Sequence, residues 1–239
     1  MRFFYAENPG SPGEIQLLDR DEADHLFVTL RARSGDRVGL LDGKGTTAEA
    51  EVTGDRRLTI VTRRVNAAPK LRVHLFCAAP RRKELDLLLK QAAETGASSV
   101  NLINCARSVA TPDGDALDRW RTILMEGCKQ SHNPFAPEIA APIDFKTAVQ
   151  KVEAAGWPTF FGAVPRPEDA PAAADKVADG DCALFIGPEG GFTAGEEDSM
   201  RGAGFQPWNF AATVLRLETA AAGGVLLLKY LNRLNGGRK

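Results

Sequence analysis

Two short stretches carry the residue types and spacing for chemistry. In the first, Phe185-Ile186-Gly187-Pro188-Glu189-Gly190-Gly191-Phe192-Thr193, an apolar strand runs into a glycine-rich turn and then into a helix. Thr193 followed by Glu196 fits a capping box, which sets the helix start just after the glycines. Such loops sit beyond the carboxyl ends of strands, where open α/β sheets bind ligands. Glycine there lets the backbone approach a ligand closely because no Cβ intervenes. The spacing matches neither GxGxxG nor a P-loop, so neither a dinucleotide nor a nucleoside triphosphate is indicated. A plain strand–helix turn is the competing reading; Glu189, a carboxylate between glycines, favours a ligand.

The second stretch, Val214-Leu215-Arg216-Leu217-Glu218-Thr219-Ala220, opens an apolar helix containing Gly223 and Gly224. Glu218 suits the positive end of a helix dipole, whereas a cation at Arg216 does not. Arg216 therefore either pairs with an acid such as Glu189 or faces an anionic or polar substrate. Arg107, after a strand, is either a phosphate contact or a solvated loop charge. His132 closes a long helix and reads as a helix-end residue rather than a ligand or base. No Ser-His-Asp, HExxH or zinc spacing is legible, so hydrolase readings lack support.

The elements that must position these residues fall into two groups. Residues 36–41, 46–52 and 58–64 read as short strands separated by turns at Asp42-Gly43-Lys44-Gly45 and Gly54-Asp55, with one helix over 21–33. Residues 66–69 form a short linker. Beyond it, strands over 72–78, 99–104, 159–163, 181–186 and 205–210 alternate with helices over 84–95, 115–131 and 218–232. Leu85, Leu88, Leu89 and Ala92 mark the first helix face, with Gly96 at its C-cap. Residues 165–181 read as a loop around a short helix. The alternation predicts an α/β sheet with helices on its faces. The expected domains are 1–68, a small β-rich module, and 71–239.

At 239 residues the chain has room for one large domain or two small ones, about 1.6 by length alone. Its 44% hydrophobic and 26% charged content excludes a disordered or fibrous chain. The longest apolar run, residues 220–228, is about half of what a bilayer span needs, so no membrane partner is expected. The N-terminus lacks a signal-peptide core. Cys77, Cys105, Cys128 and Cys182 contain no CxxC pair, which fits reduced thiols in the cytoplasm and no metal. A net charge of −1 does not advertise nucleic-acid binding, but arginines cluster at 31–37, 56–64 and 81–82. These are solvated faces or an RNA-binding surface.

Taken together, the 187–193 loop with Glu196 and Glu197 and the 215–220 stretch resemble the RsmE family of SPOUT-class RNA methyltransferases. Arg2-Phe3-Phe4, His25-Leu26, Leu30-Arg31, Gly35-Asp36, Asp42-Gly43 and Ala50-Glu51-Val52 are similar to that family's PUA-like barrel. Glu94 with Gly96, Arg107-Ser108-Val109, Gln130-Ser131 and Pro137-Glu138-Ile139 continue the match across the chain. The resemblance implies a PUA-like β-barrel before a SPOUT-type knotted parallel sheet with flanking helices, the deep trefoil knot being an exception to the rule that chains avoid knots. It also implies S-adenosylmethionine-dependent methylation of N3 of a uridine in 16S ribosomal RNA of the small subunit, by a cytoplasmic homodimer.

By position, the resemblance implies cofactor contacts at Phe161, Gly162, Ile186, Gly187, Gly190, Gly191, Phe210, Ala211, Val214, Leu215 and Thr219. Arg216, Glu189 and Glu218 would be catalytic: Arg216 stabilises developing negative charge on the uracil or orients a phosphate, and a carboxylate orients the base or relays the N3 proton. Arg2, Arg31 and Arg107 would contact RNA. Asn133, Gln91 and Ala211 depart from the family's common arginine, lysine and glycine. Losing two cations bears on RNA affinity and target choice more than on methyl transfer. A SPOUT enzyme of ribose 2′-O specificity and a non-catalytic RNA-binding assembly protein are the alternatives.

Overall fold

The computed structural model describes residues 1–54, 56–112, 114–169 and 177–236. It divides into two units, one of residues 1–68 with 125–136, the other of residues 69–124 with 137–239. Residues 170–176, the expected short helix in the 165–181 loop, lie outside the described residues.

The first unit holds a five-stranded sheet in the order β1 (Phe3–Tyr5), β3 (Arg37–Leu41), β4 (Thr46–Gly54), β5 (Arg57–Val65), β2 (Ile15–Gln16). β1 pairs with β3 in parallel and the other neighbours are antiparallel. Alternate residues point inward, so Val38, Leu40, Ala50, Val52, Leu58 and Ile60 form one core with Phe4 and Leu26. Asp42 Oδ1 accepts from the N–H of Lys44 at 2.7 Å and of Thr46 at 2.8 Å, which shapes the expected β3–β4 turn.

The helix expected over 21–33 is shorter. α1 (Arg20–Asp24), capped by Asp19, passes into a π-helical turn over His25–Thr29. The turn closes with Leu30 N–H donating to His25 O, and Arg31 at φ 54 stops it. Residues 125–136 also belong to this unit. Lys129 is buried between Glu22 (2.5 Å) and Glu126 (2.6 Å), and His132 at φ 58 lies against the Phe3 ring, 4.4 Å between centroids. His132 is thus a helix-end residue, as read from sequence.

The second unit is a wholly parallel sheet in the order β12 (Gln206–Trp208), β10 (Thr159–Gly162), β11 (Gly180–Ile186), β6 (Leu71–Ala78), β7 (Ser99–Asn104), β8 (Glu138–Ile139). β9 (Ile143–Asp144) also pairs with β7. β6 and β11 are buried almost throughout, as parallel strands covered on both faces must be. Its helices are α2 (Arg82–Thr95), α4 (Phe145–Ala155), α5 (Ala194–Gly202) and α6 (Leu217–Gly236), with the first part of α3 (Leu117–Ser131), whose residues from 125 onward belong to the first unit. Gly96 at φ 74 caps α2 as expected. α6 packs on β6 and β11. A Cβ on Gly224 would sit 2.5 Å from Leu184 Cδ2, so glycine permits that approach. α4 was not anticipated, although Asp144 caps it through the Thr147 N–H at 2.8 Å and Val149 and Val152 are buried.

A chain of hydrogen bonds links three strands at their amino ends. Ser99 Oγ lies 2.9 Å from His74 Nδ1, and His74 Nε2 lies 2.9 Å from Asp181 Oδ1. No Ser-His-Asp pattern was legible because the three residues meet only through strand pairing. Ser99 is buried and its hydroxyl also receives Asn101 Nδ2, so the chain aligns β11, β6 and β7 and offers no free nucleophile. The Arg72 guanidinium holds the Asp181 carboxyl down at about 2, against its burial and with help from His74. A depressed carboxyl stabilises fully above its unfolded pKa of about 3.9 and loses that contribution as pH falls toward 2. Asp181→Asn should therefore cost about 1–2 kcal/mol at neutral pH and flatten the acid limb of a Tm-versus-pH curve between about pH 4 and 2.

Candidate functional site

Three loops leave the carboxyl ends of β10, β11 and β12, adjacent strands at one side of the sheet. They enclose a cavity of about 560 Å³ lined by residues 162–164, 186–189, 191, 208–217 and 220. That volume lies within the ~300–1,000 Å³ range of small-molecule sites, at the strand ends where α/β sheets bind ligands.

The β11 loop is built from its own sequence. Gly191 at φ 70 donates its N–H to Pro188 O at 2.7 Å, which closes the turn. A Cβ on Gly187 would come within 3.1 Å of the Phe192 ring and 3.2 Å of its backbone nitrogen. The expected capping box is present. Thr193 Oγ1 accepts the Glu196 N–H at 3.3 Å, and Glu196 Oε2 accepts the Thr193 N–H at 2.8 Å. The other Glu196 oxygen accepts the Ala106 N–H at 2.8 Å.

Arg107 has a structural part that its sequence context did not indicate. Its Nη1 donates to Gly190 O at 2.8 Å and Phe192 O at 3.3 Å, bracketing the turn. Removing it leaves two carbonyls of the loop without that donor, at about 1 kcal/mol each. Arg107→Ala is expected to weaken cofactor binding about 3–10-fold by isothermal titration and to lower Tm by a few degrees. An unchanged Kd would show that the loop holds its shape alone.

Of the residues expected to contact a cofactor, Gly162, Ile186, Gly187, Gly191, Phe210, Ala211, Val214 and Leu215 line the cavity, as do Glu189 and Arg216. Four expected residues do not. Phe161 alternates to the opposite side of β10 and is fully buried, with the Arg201 guanidinium 5.2 Å from its ring centroid. Gly190 turns its Cα toward Arg107. Leu217 and Ala220, one helical turn apart, face the cavity, so Glu218 and Thr219 rotate off that face. Glu218 is 7% exposed and Thr219 points to solvent. Sequence reading missed Trp208 and Asn209, while Ala212 and Thr213 fall within the expected cofactor loop over 210–215. Trp208 packs on Phe210 with ring centroids 4.7 Å apart, a pairing that the two-residue spacing of aromatics hinted at.

Charge in the cavity is sparse. Glu189 and Arg216 are both exposed, and among the described residues no acid lies within ion-pair distance of Arg216. The salt-bridge reading of Arg216 therefore fails, and its guanidinium stands free to meet a ligand. A largely apolar wall with backbone polar groups, one cation and one carboxylate suits an uncharged heterocycle beside a site where negative charge develops. Among the described residues no cluster of His, Cys, Asp and Glu can hold a metal. Arg2 and Arg31 are exposed in the first unit.

Residues 67–228 match the RNA methyltransferase domain family and residues 18–62 the RNA methyltransferase PUA domain family. A relative from Mycobacterium bovis named ribosomal RNA small subunit methyltransferase E is 30% identical over 233 residues, covering 92% of this chain and 87% of the relative. One of the same name from Aquifex aeolicus is 26% identical over 235 residues, covering 95% and 99%. The crystal structure of a ribosomal RNA small subunit methyltransferase E from Neisseria gonorrhoeae, bound to S-adenosyl methionine, is 25% identical with a TM-score of 0.82, covering 97% of this chain and 98% of that one.

Proposed function

Because this chain belongs to the RNA methyltransferase family, with ribosomal RNA small subunit methyltransferase E among its relatives, we propose that it methylates N3 of a uridine in 16S ribosomal RNA with S-adenosylmethionine. The observation that carries the reading is the three-loop cavity with Arg216 at its wall, which has no acid partner among the described residues. The residues fit the cofactor. A Cβ on Gly162 would enter the space beside Ile186 Cδ1, at 3.4 Å, so glycine keeps that cradle open. Apolar side chains and backbone amides dominate the wall, which suits an adenine and a thioether arm.

When bound, S-adenosylmethionine supplies an electrophilic methyl group on a sulfonium. Gly162, Ile186, Gly187, Gly191, Phe210 and Leu215 would hold it. Orientation of the target base supplies much of the rate. A neutral imide nitrogen is a poor nucleophile, so its proton must leave. Arg216 stabilises the negative charge that this loss places on the uracil carbonyl. Glu189, at the same wall, orients the base or takes up the N3 proton. Glu218 lies off the cavity and takes no part.

Arg2 and Arg31 would contribute phosphate contacts that weaken as salt rises. The homodimer and the knot belong to the same proposal. Leu226 and Tyr230 are 57% and 56% exposed at i, i+4 on α6, with Leu234 one turn further, an apolar stripe suited to a second copy. Leu226→Asp should shift the sedimenting species from dimer to monomer. β12 takes the outer edge of the sheet while α6 returns to β6 and β11, a path that supports a knotted connection. Four buried free cysteines, Cys182 with its thiol pushed up to about 12 by burial, fit a reducing cytoplasm.

The test is methyl transfer from labelled S-adenosylmethionine to 30S subunits lacking base methylation, with the product nucleoside identified. N3-methyluridine is expected. A labelled 2′-O-methyl nucleoside would overturn the specificity, and no transfer with no cofactor binding would leave an RNA-binding protein.

A further inference from the structure

The first wall of the cavity comes from the segment after β10, where Ala163 and Val164 line the cavity. Ala163-Val164-Pro165 offers no polar side chain to anchor itself. Its anchor lies further along. Asp169 N–H donates to Arg166 O at 3.0 Å, and Asp169 Oδ2 accepts the Arg166 N–H at 2.6 Å, so residues 166–169 form a closed turn. The Asp169 carboxylate, 5% exposed, then takes both prongs of Arg201: Nε to Oδ1 at 2.6 Å and Nη2 to Oδ2 at 3.0 Å.

Arg201 sits in the last turn of α5, the helix that begins where the glycine loop ends. It is itself held in place. Its Nη1 donates to Glu197 Oε2 at 2.8 Å, its guanidinium lies over the buried Phe161 ring, and only 14% of its side chain is exposed. Arg166 reaches back from the turn to Asp198 at 2.7 Å and Glu197 at 3.5 Å. A planar fork on a carboxylate fixes orientation as well as distance, which a lysine cannot do. The wall carrying Ala163 and Val164 is thereby tied to the helix that carries the glycine loop.

We propose that Arg201 is a positioning residue: through Asp169 it presets the 163–169 segment, relative to the glycine loop, in the form that receives S-adenosylmethionine. The inference rests on the cofactor assignment above. A wall already in its bound form spares the ligand the cost of ordering it, so the clamp acts on affinity without touching the ligand.

A clamp that served stability alone would give a different pattern, and the variants separate the two. Arg201→Met leaves Asp169 buried and unpaired, and Asp169→Asn leaves Arg201 short of a partner; each single change is destabilising. The double variant Arg201→Met/Asp169→Asn removes both charges and should recover much of the Tm. The experiment is titration of S-adenosylmethionine alone into the wild type, Arg201→Lys, Asp169→Asn and the double variant, with hydrogen exchange of residues 161–169 in the cofactor-free proteins.

The expected result is a Kd about tenfold or more weaker in the double variant despite its recovered Tm, a smaller loss in Arg201→Lys, and faster exchange confined to 161–169. Wild-type affinity in the double variant, with wild-type binding intact, would overturn the inference and leave Arg201 a stability element. Absence of cofactor binding by the wild type would instead overturn the methyltransferase reading, and this inference with it.

Discussion

Arg216→Ala is expected to lower single-turnover methyl transfer to 30S subunits by about 10²–10³-fold, the loss typical of removing one donor aimed at developing charge. The guanidinium is exposed and has no acid partner among the described residues, so its removal breaks no ion pair and should leave Tm unchanged. Affinity for S-adenosylmethionine should change little, since the cofactor's own positive centre gains nothing from a nearby cation. The effect should therefore fall on the chemical step. Arg216→Lys should recover only part of the rate, because an ammonium cannot present two parallel donors to a carbonyl or a phosphate. Full turnover by a folded Arg216→Ala protein would remove Arg216 from the mechanism. A loss confined to KM for RNA would move its role to phosphate binding.

Gly162→Val should abolish cofactor binding at concentrations that saturate the wild type, an increase in Kd of roughly 100-fold or about 2.7 kcal/mol. The position tolerates the change structurally. Gly162 ends β10 with an ordinary backbone conformation, a β-branched residue suits a strand, and its Cβ would meet Ile186 Cδ1 at 3.4 Å, a normal contact. Its two methyl groups would then project into the cavity where Gly162 and Ile186 meet. The measurement is titration calorimetry beside a thermal melt. A folded Gly162→Val protein that bound S-adenosylmethionine as tightly as the wild type would show that the cofactor lies elsewhere. Paired with Arg216→Ala, it separates a cradle residue from a chemical one: the first should lose binding, the second rate.

Much of the architecture is readable without coordinates because it depends on local pattern. The alternation of apolar strands and amphipathic helices predicts the parallel sheet, and the buried run at 182–186 is the central strand it resembles. The Thr193–Glu196 capping box and Gly96 at the α2 C-cap are local hydrogen-bond geometry, and both stand where their residue types put them. The failures are also local in origin. The helix over 21–33 stops early because Arg31 adopts a left-handed backbone that composition does not disclose. α4 escaped notice although Asp144 and Gly156 mark both its ends.

By itself, the sequence determined the two-part architecture, the methyltransferase kinship and the two loops that carry Glu189 and Arg216, since each is written in contiguous residues. Side-chain direction is decided only in three dimensions, because it depends on which face of a strand or helix meets a neighbour. Folding therefore turned Phe161 into the core and carried Glu218 and Thr219 off the cavity, while leaving Gly162 and Ala220 upon it. Tertiary structure alone could bring Arg107 to the carbonyls of Gly190 and Phe192, 83 and 85 residues away, and Arg201 to Asp169, 32 residues away. It likewise left Arg216 without an acid partner among the described residues, for no spacing along a chain states which charges will fail to meet.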